Sequence, residues 1–177
     1  GLTSGDTKAL YEEGVRKSFE EQGAVLGAYL SSTSKPRPYN SSTVSPVYPA
    51  GYSDDISEGN VSPSWDDTSG TADEVKEQQL QKIITQKYLA LYPNSVEAWT
   101  EYRRTGYPFI MKPADRAAAG RIDAPADTRA PERFVFSDQS YTTNPSLKVV
   151  PSLLGGPDKG STKLWWVRDN RPKQPNN

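Results

Sequence analysis

Ser32 and Lys35 stand three positions apart in the stretch "SSTSK", the spacing of a serine–lysine acyl-transfer pair. That chemistry needs both side chains on one helical turn, and Pro36 with its loop-like neighbours opposes a helix there. The pair is read as loop residues. "GGPDKGS" has the glycines and lysine of a phosphate loop, but its lysine precedes the last glycine and no strand-to-helix frame surrounds it. It is read as a turn. Two acidic pairs, Asp54-Asp55 and Asp66-Asp67, offer oxygen ligands for a hard cation such as calcium, yet lack the alternate-residue spacing of a calcium loop. A solvated loop face accounts for them, so no metal is expected.

The chain contains no histidine and no cysteine. This removes Ser-His-Asp and Cys-His nucleophiles, imidazole and thiolate metal sites, and disulfides. Catalysis would have to run on carboxylates, Lys, Tyr or a Ser-Lys pair. A carboxylate pair for glycoside hydrolysis depends on a separation in space, so a glycosidase stays open as an alternative. With 21 basic and 22 acidic residues the formal net charge is −1, without the basic excess of a nucleic-acid binder. Arg103-Arg104 is the one adjacent arginine pair, and no nucleic-acid partner is expected.

What remains is aromatic rings beside carboxylates and amides on irregular backbone. Tyr39, Tyr48, Tyr52 and Trp65 share one stretch with Asp54, Asp55, Asn60, Asp66 and Asp67. Flat apolar rings flanked by hydrogen-bonding groups suit polar ligands with apolar faces, sugars foremost. These residues are the candidate carbohydrate-binding set. The competing reading has the same rings pinning the stretch onto neighbouring helices. Asn40-Ser41-Ser42 and Asn60-Val61-Ser62 also match glycosylation sequons, which matter only in a eukaryotic secretory host.

The elements that would position this set are sparse. Hydrophobic residues make up 34% of the chain, mean hydropathy is −0.76, and 15 prolines and 13 glycines punctuate it. Low hydrophobicity without high net charge does not match full disorder, and 4 Trp, 10 Tyr and 4 Phe are available to bury. A loop-rich domain fits, and so does a portion whose core is completed by sequence elsewhere. No run approaches the ~18 apolar residues of a membrane span. "GLTSGDTKAL" lacks the regions of a signal peptide, so the chain is expected to be soluble as given, cytoplasmic or already trimmed.

Apolar or small positions at Leu10, Gly14/Val15 and Phe19 predict a first helix capped by Asp6 or Thr7, with "AVLGAYL" as a short second one, over about 6–30. Residues from about 31 to 72 read as a long loop, which in a compact domain usually carries function. "DEVKEQQLQKIITQKYLALY" places Val75, Leu80, Ile83, Ile84, Tyr88 and Leu91 on one face. Pro93 breaks that helix and Asn94 or Ser95 caps the next, so a helix pair over about 73–105 forms an antiparallel αα-hairpin. Residues 106–177 read as an irregular tail, with "RFVF" a short extended segment, Asn144-Pro145 opening a brief helix that Pro151 limits, and "TKLWWV" a short strand or packed tail. The expected fold class is mainly α, with long irregular loops and little strand, in a single region.

"EAWTEYRRTGYP" closes the hairpin. Trp99 and Tyr102 are predicted to face the partner helix, Arg103 and Arg104 to complement the carbonyl end, and Gly106 to take positive φ before Pro108. These positions are assigned to structure.

"IITQKYLALYPNSVEAWTEYRRTGYP" resembles the signature near the end of SusD/RagB-family outer-membrane lipoproteins, where a Gln-Lys-aromatic step precedes Glu-Ala-Trp, Arg-Arg-Thr-Gly and Pro. "LYEEGVRKSFEEQG" resembles the helix before that family's long insertion. "RFVFSDQSYTTNP", "LLGGPD" and "KLWWV" resemble its closing elements, with Trp165 and Trp166 as a structural Trp-Trp tail. Ser140 stands where the family often has Glu, and Val167 where Asp often follows the tryptophans. The resemblance implies a tetratricopeptide-like helical scaffold, no catalysis, no cofactor, and glycan binding on irregular loops. It also implies a lipid anchor at the surface of Gram-negative cells and a SusC-like TonB-dependent transporter as partner. Full members are far longer, so the chain looks like a carboxy-terminal portion whose upstream part supplies the lipid anchor and packs on the hairpin. A helix-hairpin module for protein docking, without sugar binding, is the alternative.

Overall fold

The computed structural model describes residues 5–36, 39–40, 53–54, 60–109 and 131–168. Five α-helices lie among them: α1 (Thr7–Glu21), α2 (Ala72–Ala90), α3 (Ser95–Thr105), α4 (Asp138–Thr143) and α5 (Val150–Leu154). A two-residue antiparallel pair, β1 (Tyr39–Asn40) with β2 (Ser53–Asp54), is the one strand pairing among the described residues. The molecule is mainly helical, as expected.

Local chemistry explains the helix ends. The Asp6 carboxylate accepts from the Lys8 amide at 3.1 Å and starts α1. Thr71 and Glu74 form a reciprocal capping box at α2, satisfying orphan amides at both positions. Asn94 Oδ1 accepts from the Glu97 amide at 3.4 Å and starts α3. Gly106 closes α3 at φ 82°, a left-handed conformation that costs a residue with a Cβ about 1–2 kcal/mol.

α2 and α3 run antiparallel. Lys87, in the last turn of α2, reaches Glu97 at 3.0 Å and Glu101 at 3.3 Å on α3. At the other end, Tyr107 beyond α3 donates its hydroxyl to Glu77 at 2.8 Å and packs in a buried cluster with Ile84 and Phe109. A second buried cluster joins Tyr11 and Val15 of α1 to Trp65, with Phe19, Leu26, Tyr29 and Leu30 at its margin.

Several expectations change. "AVLGAYL" forms only a 3-10 turn at Tyr29–Ser31, because Gly27 takes φ 51° and interrupts a helix. The buried side of α2 carries Gln81 and Lys82 with Ile84, while Ile83 is exposed. Asn144 does cap Pro145, but the resulting 3-10 turn (Pro145–Val149) runs into α5, where Pro151 occupies the first turn instead of ending the helix. α4 was not anticipated; Ser137 accepts from the Ser140 amide at 3.0 Å and caps it. "RFVF" and "TKLWWV" form no strand in the described residues. The breaker-rich residues 110–130 lie outside the description.

Candidate functional site

The long segment before α2 returns to its own start. The Ser64 amide donates to the Ser32 carbonyl at 3.2 Å, and further out Tyr39 pairs in register with Asp54 and Asn40 with Ser53. Two pairings thus join the described parts of this segment, and its return limb at Ser62 and Pro63 rests on α2 and α1.

The return limb is fixed from several sides. Tyr11 donates its hydroxyl to the Pro63 carbonyl at 2.7 Å, and burial pushes that phenol well above its ordinary range. Lys82, 1% exposed, donates to the Ser62 carbonyl at 2.9 Å and the Ser62 hydroxyl at 3.3 Å. The Ser62 hydroxyl in turn donates to Asp67 at 2.5 Å. Burial draws the Lys82 amine below its ordinary range, and the nearby Asp67 charge works against that. Gln81 reaches Asn60 at 3.5 Å, and Lys8 pairs with Asp66.

The predicted carbohydrate-binding residues separate accordingly. Tyr39 and Asp54 are brought together as register partners. Tyr48, Tyr52 and Asp55 lie outside the described residues. Trp65 is 8% exposed, with its ring centroid 5.0 Å from that of Tyr11. An indole so covered stabilises the limb and offers no face to a ligand, so Trp65 is corrected to a core residue. Asp66 is exposed in its pair with Lys8, and Asp67 is engaged by Ser62. Sequence spacing did not reveal Tyr11, Ser62 or Lys82. A lysine within the apolar face of α2 was the available signal.

The residues assigned to structure behave differently from one another. Trp99 meets a later segment: its indole N–H donates to the Pro131 carbonyl at 2.9 Å and its ring lies 4.8 Å from that of Phe134. Tyr102, 2% exposed, is the buried member of that pair. The Arg103 guanidinium sits 3.8 Å from the Trp99 ring centroid and 4.9 Å from that of Trp166, and donates to the Glu132 carbonyl at 2.7 Å. It therefore ties α3 to two later segments at once. Arg104 pairs with Glu101 at 2.6 Å on the surface. Trp165 departs from its assignment. It is 93% exposed, because the turn that lets the Val167 amide reach the Leu164 carbonyl buries Val167 and leaves Trp165 on the outside.

Two carboxylates organise the tail. Asp158 pairs with Arg133 and accepts from the Phe136 amide at 3.1 Å and the Tyr141 hydroxyl at 2.9 Å. Burial raises its pKa, but the Arg133 and Tyr141 hydrogen bonds outweigh burial and hold the carboxyl below its ordinary range. Glu77 accepts from Arg168 at 3.1 and 3.2 Å and from Tyr107. There too burial acts upward and the Arg168 and Tyr107 hydrogen bonds prevail.

Two depressions mark the surface of the described residues. A groove of about 590 Å³ between α1 and α2 is lined largely by apolar groups, among them Leu10, Val15, Phe19, Ile83 and Leu89. A cleft of about 230 Å³ lies beside Trp165 and Lys163. Among the described residues no cluster of carboxylates could hold a metal ion.

Residues 1–167 match the family described as "SusD-like: Susd and RagB outer membrane lipoprotein". A comparison with curated proteins gives no match. Among solved structures, the protein BT1043 is 57% identical, with a TM-score of 0.86, over 99% of this chain and 34% of its own. A SusD homolog from Bacteroides vulgatus is 34% identical, with a TM-score of 0.77, over 97% of this chain and 32% of its own. A chitin-binding SusD homolog from Flavobacterium johnsoniae is 32% identical, with a TM-score of 0.74, over 95% of this chain and 33% of its own. The chain spans about a third of the length of these relatives.

Proposed function

The chain belongs to the SusD-like family of outer-membrane lipoproteins, and on that footing we propose that it is part of a non-catalytic glycan-binding protein of the bacterial cell surface. The match over residues 1–167 carries this reading. The chitin-binding SusD homolog from Flavobacterium johnsoniae supports oligosaccharides as the ligand class. The glycan is delivered to a SusC-like TonB-dependent transporter for import, and a lipid anchor elsewhere in the full-length protein holds the assembly at the outer membrane.

Recognition is assigned to the long segment between α1 and α2. Tyr39 and Asp54, register partners of β1 and β2, are its first two members. Tyr48, Tyr52 and Asp55 complete the proposed set from the same stretch, with Asp66 and Asp67 at its foot. The hairpin and tail act as scaffold. The apolar groove between α1 and α2 favours a docking role beside this one, with the remainder of the same protein as occupant.

The test is a panel of immobilised plant, fungal and animal glycans, chitin oligosaccharides included, probed with the full-length protein and followed by product analysis. Saturable binding without cleavage products is expected. Hydrolysis products, or no binding across the panel, would overturn the reading.

A further inference from the structure

The α1 wall of the apolar groove falls into two rows of residues spaced four apart. Tyr11, Val15 and Phe19 form one row and belong to the cluster with Trp65. Leu10, Gly14 and Ser18 form the other. Rows at this spacing are the ridges of a helix surface, and a row lowered by small residues is a channel that can receive the ridge of another helix. From Leu10 to Gln22 this wall runs about 18 Å at about 1.5 Å per residue, roughly three helical turns.

Gly14 is the informative member. It stands mid-α1 without a positive φ, and a Cβ there would meet nothing within 4 Å. Nothing among the described residues therefore requires glycine, although a glycine inside a helix is less stable than alanine. A backbone arriving from outside this chain supplies the reason, since glycine admits close approach. Leu10 on α1 and Ile83 and Leu89 on α2 leave apolar rims exposed, as at an interaction surface. A saccharide does not suit the groove, because the Gln86 amide donates to the Tyr29 hydroxyl at 3.0 Å and these polar lining groups are spent on each other. The source of the occupant follows from length: the chain covers 34% of BT1043 and 32% of the Bacteroides vulgatus homolog, leaving about two thirds of each outside it.

We propose that a helix with an apolar stripe, from the sequence upstream of this portion, lies along the groove and crosses α1 at Gly14, where the missing Cβ lets the two backbones approach. The inference deepens the docking role assigned to the groove above and rests on that reading.

The experiment uses the full-length protein with a benzophenone side chain installed at Leu89, on the groove rim. Crosslinked peptides are identified by mass spectrometry, and mixing light- and heavy-isotope protein separates contacts within one molecule from contacts between two. Alongside, the Tm of Gly14→Ala and Gly14→Leu is measured. Intramolecular crosslinks to sequence upstream of Gly1 are expected. Gly14→Leu should lower Tm by overpacking the crossing, and Gly14→Ala should bring no gain. In an open groove both substitutions would raise Tm, since each replaces glycine by a better helix former.

Crosslinks only between two copies, only within residues 1–177, or none at all overturn the docking reading and the crossing together. Upstream crosslinks with a raised Tm in both variants leave the docking face standing and overturn the crossing at Gly14. Should Gly14→Leu fail to fold, Gly14→Ala decides: a raised Tm refutes the crossing, and an unchanged or lowered one supports it. Binding of the same preparations to the glycan panel reads the recognition assignment separately.

Discussion

Trp65 and Trp165 are the same residue type in opposite environments, and replacing each by alanine should separate core from surface. Trp65 is 8% exposed and Trp165 is 93% exposed. A buried indole removes on the order of 200 Å² from water, worth roughly 5 kcal/mol at about 25 cal/mol per Å². Residual structure in the unfolded chain lowers that figure, and the open groove beside Tyr11 and Val15 lets the site relax. Trp65→Ala should therefore cost about 3–4 kcal/mol. Trp165→Ala should stay within about 0.5 kcal/mol. Urea unfolding followed by far-ultraviolet circular dichroism measures both, and tryptophan fluorescence gives a check, since Trp65→Ala should remove the bluer emission. Equal costs for the two, or less than about 1 kcal/mol for Trp65→Ala, would refute the placement of the return limb against α1.

The tail and the hairpin offer further tests. The folded-state pKa of Asp158 is depressed, so its contribution is present above the ordinary aspartate value and is lost as pH falls through the depressed one. The urea midpoint of the wild type should thus fall on acidification below about pH 4, and Asp158→Asn should show a lower but flatter profile; parallel profiles would contradict the pairing with Arg133. Arg103→Lys should not restore the stability lost in Arg103→Ala, since an ammonium lacks the planar fork that lies against Trp99 while donating to Glu132. Full rescue by lysine in thermal denaturation would show that charge alone suffices there.

The hairpin was legible in the sequence because its determinants are local. Pro93, Asn94 and Gly106 each act through their own backbone chemistry, and the periodicity of α2 and α3 needs no knowledge of distant residues. Trp65 was not legible for the opposite reason. Whether an aromatic ring on irregular backbone faces solvent or core depends on a partner, here Tyr11, more than fifty residues earlier. Lys82 was hidden in the same way, since a lysine is read as exposed until a carbonyl and hydroxyl such as those of Ser62 are known to meet it. The Trp165-Trp166 pair shows the limit within two adjacent residues: Trp166 stacks near Arg103 while Trp165 projects outward, a division set by one turn. In the proposed site, pattern alone marked Tyr39 and Asp54 as members of one stretch. That they are register partners emerged only from the fold.

Isothermal titration of the tightest-binding oligosaccharide with Tyr39→Ala, Asp54→Ala and Arg104→Ala in the full-length protein tests the division between recognition and scaffold most directly. The two segment variants should bind about ten-fold or more weakly, a loss of at least about 1.4 kcal/mol each, with Arg104→Ala unchanged. Wild-type affinity in both segment variants, with binding lost in Arg104→Ala, would place recognition on the hairpin and contradict the account.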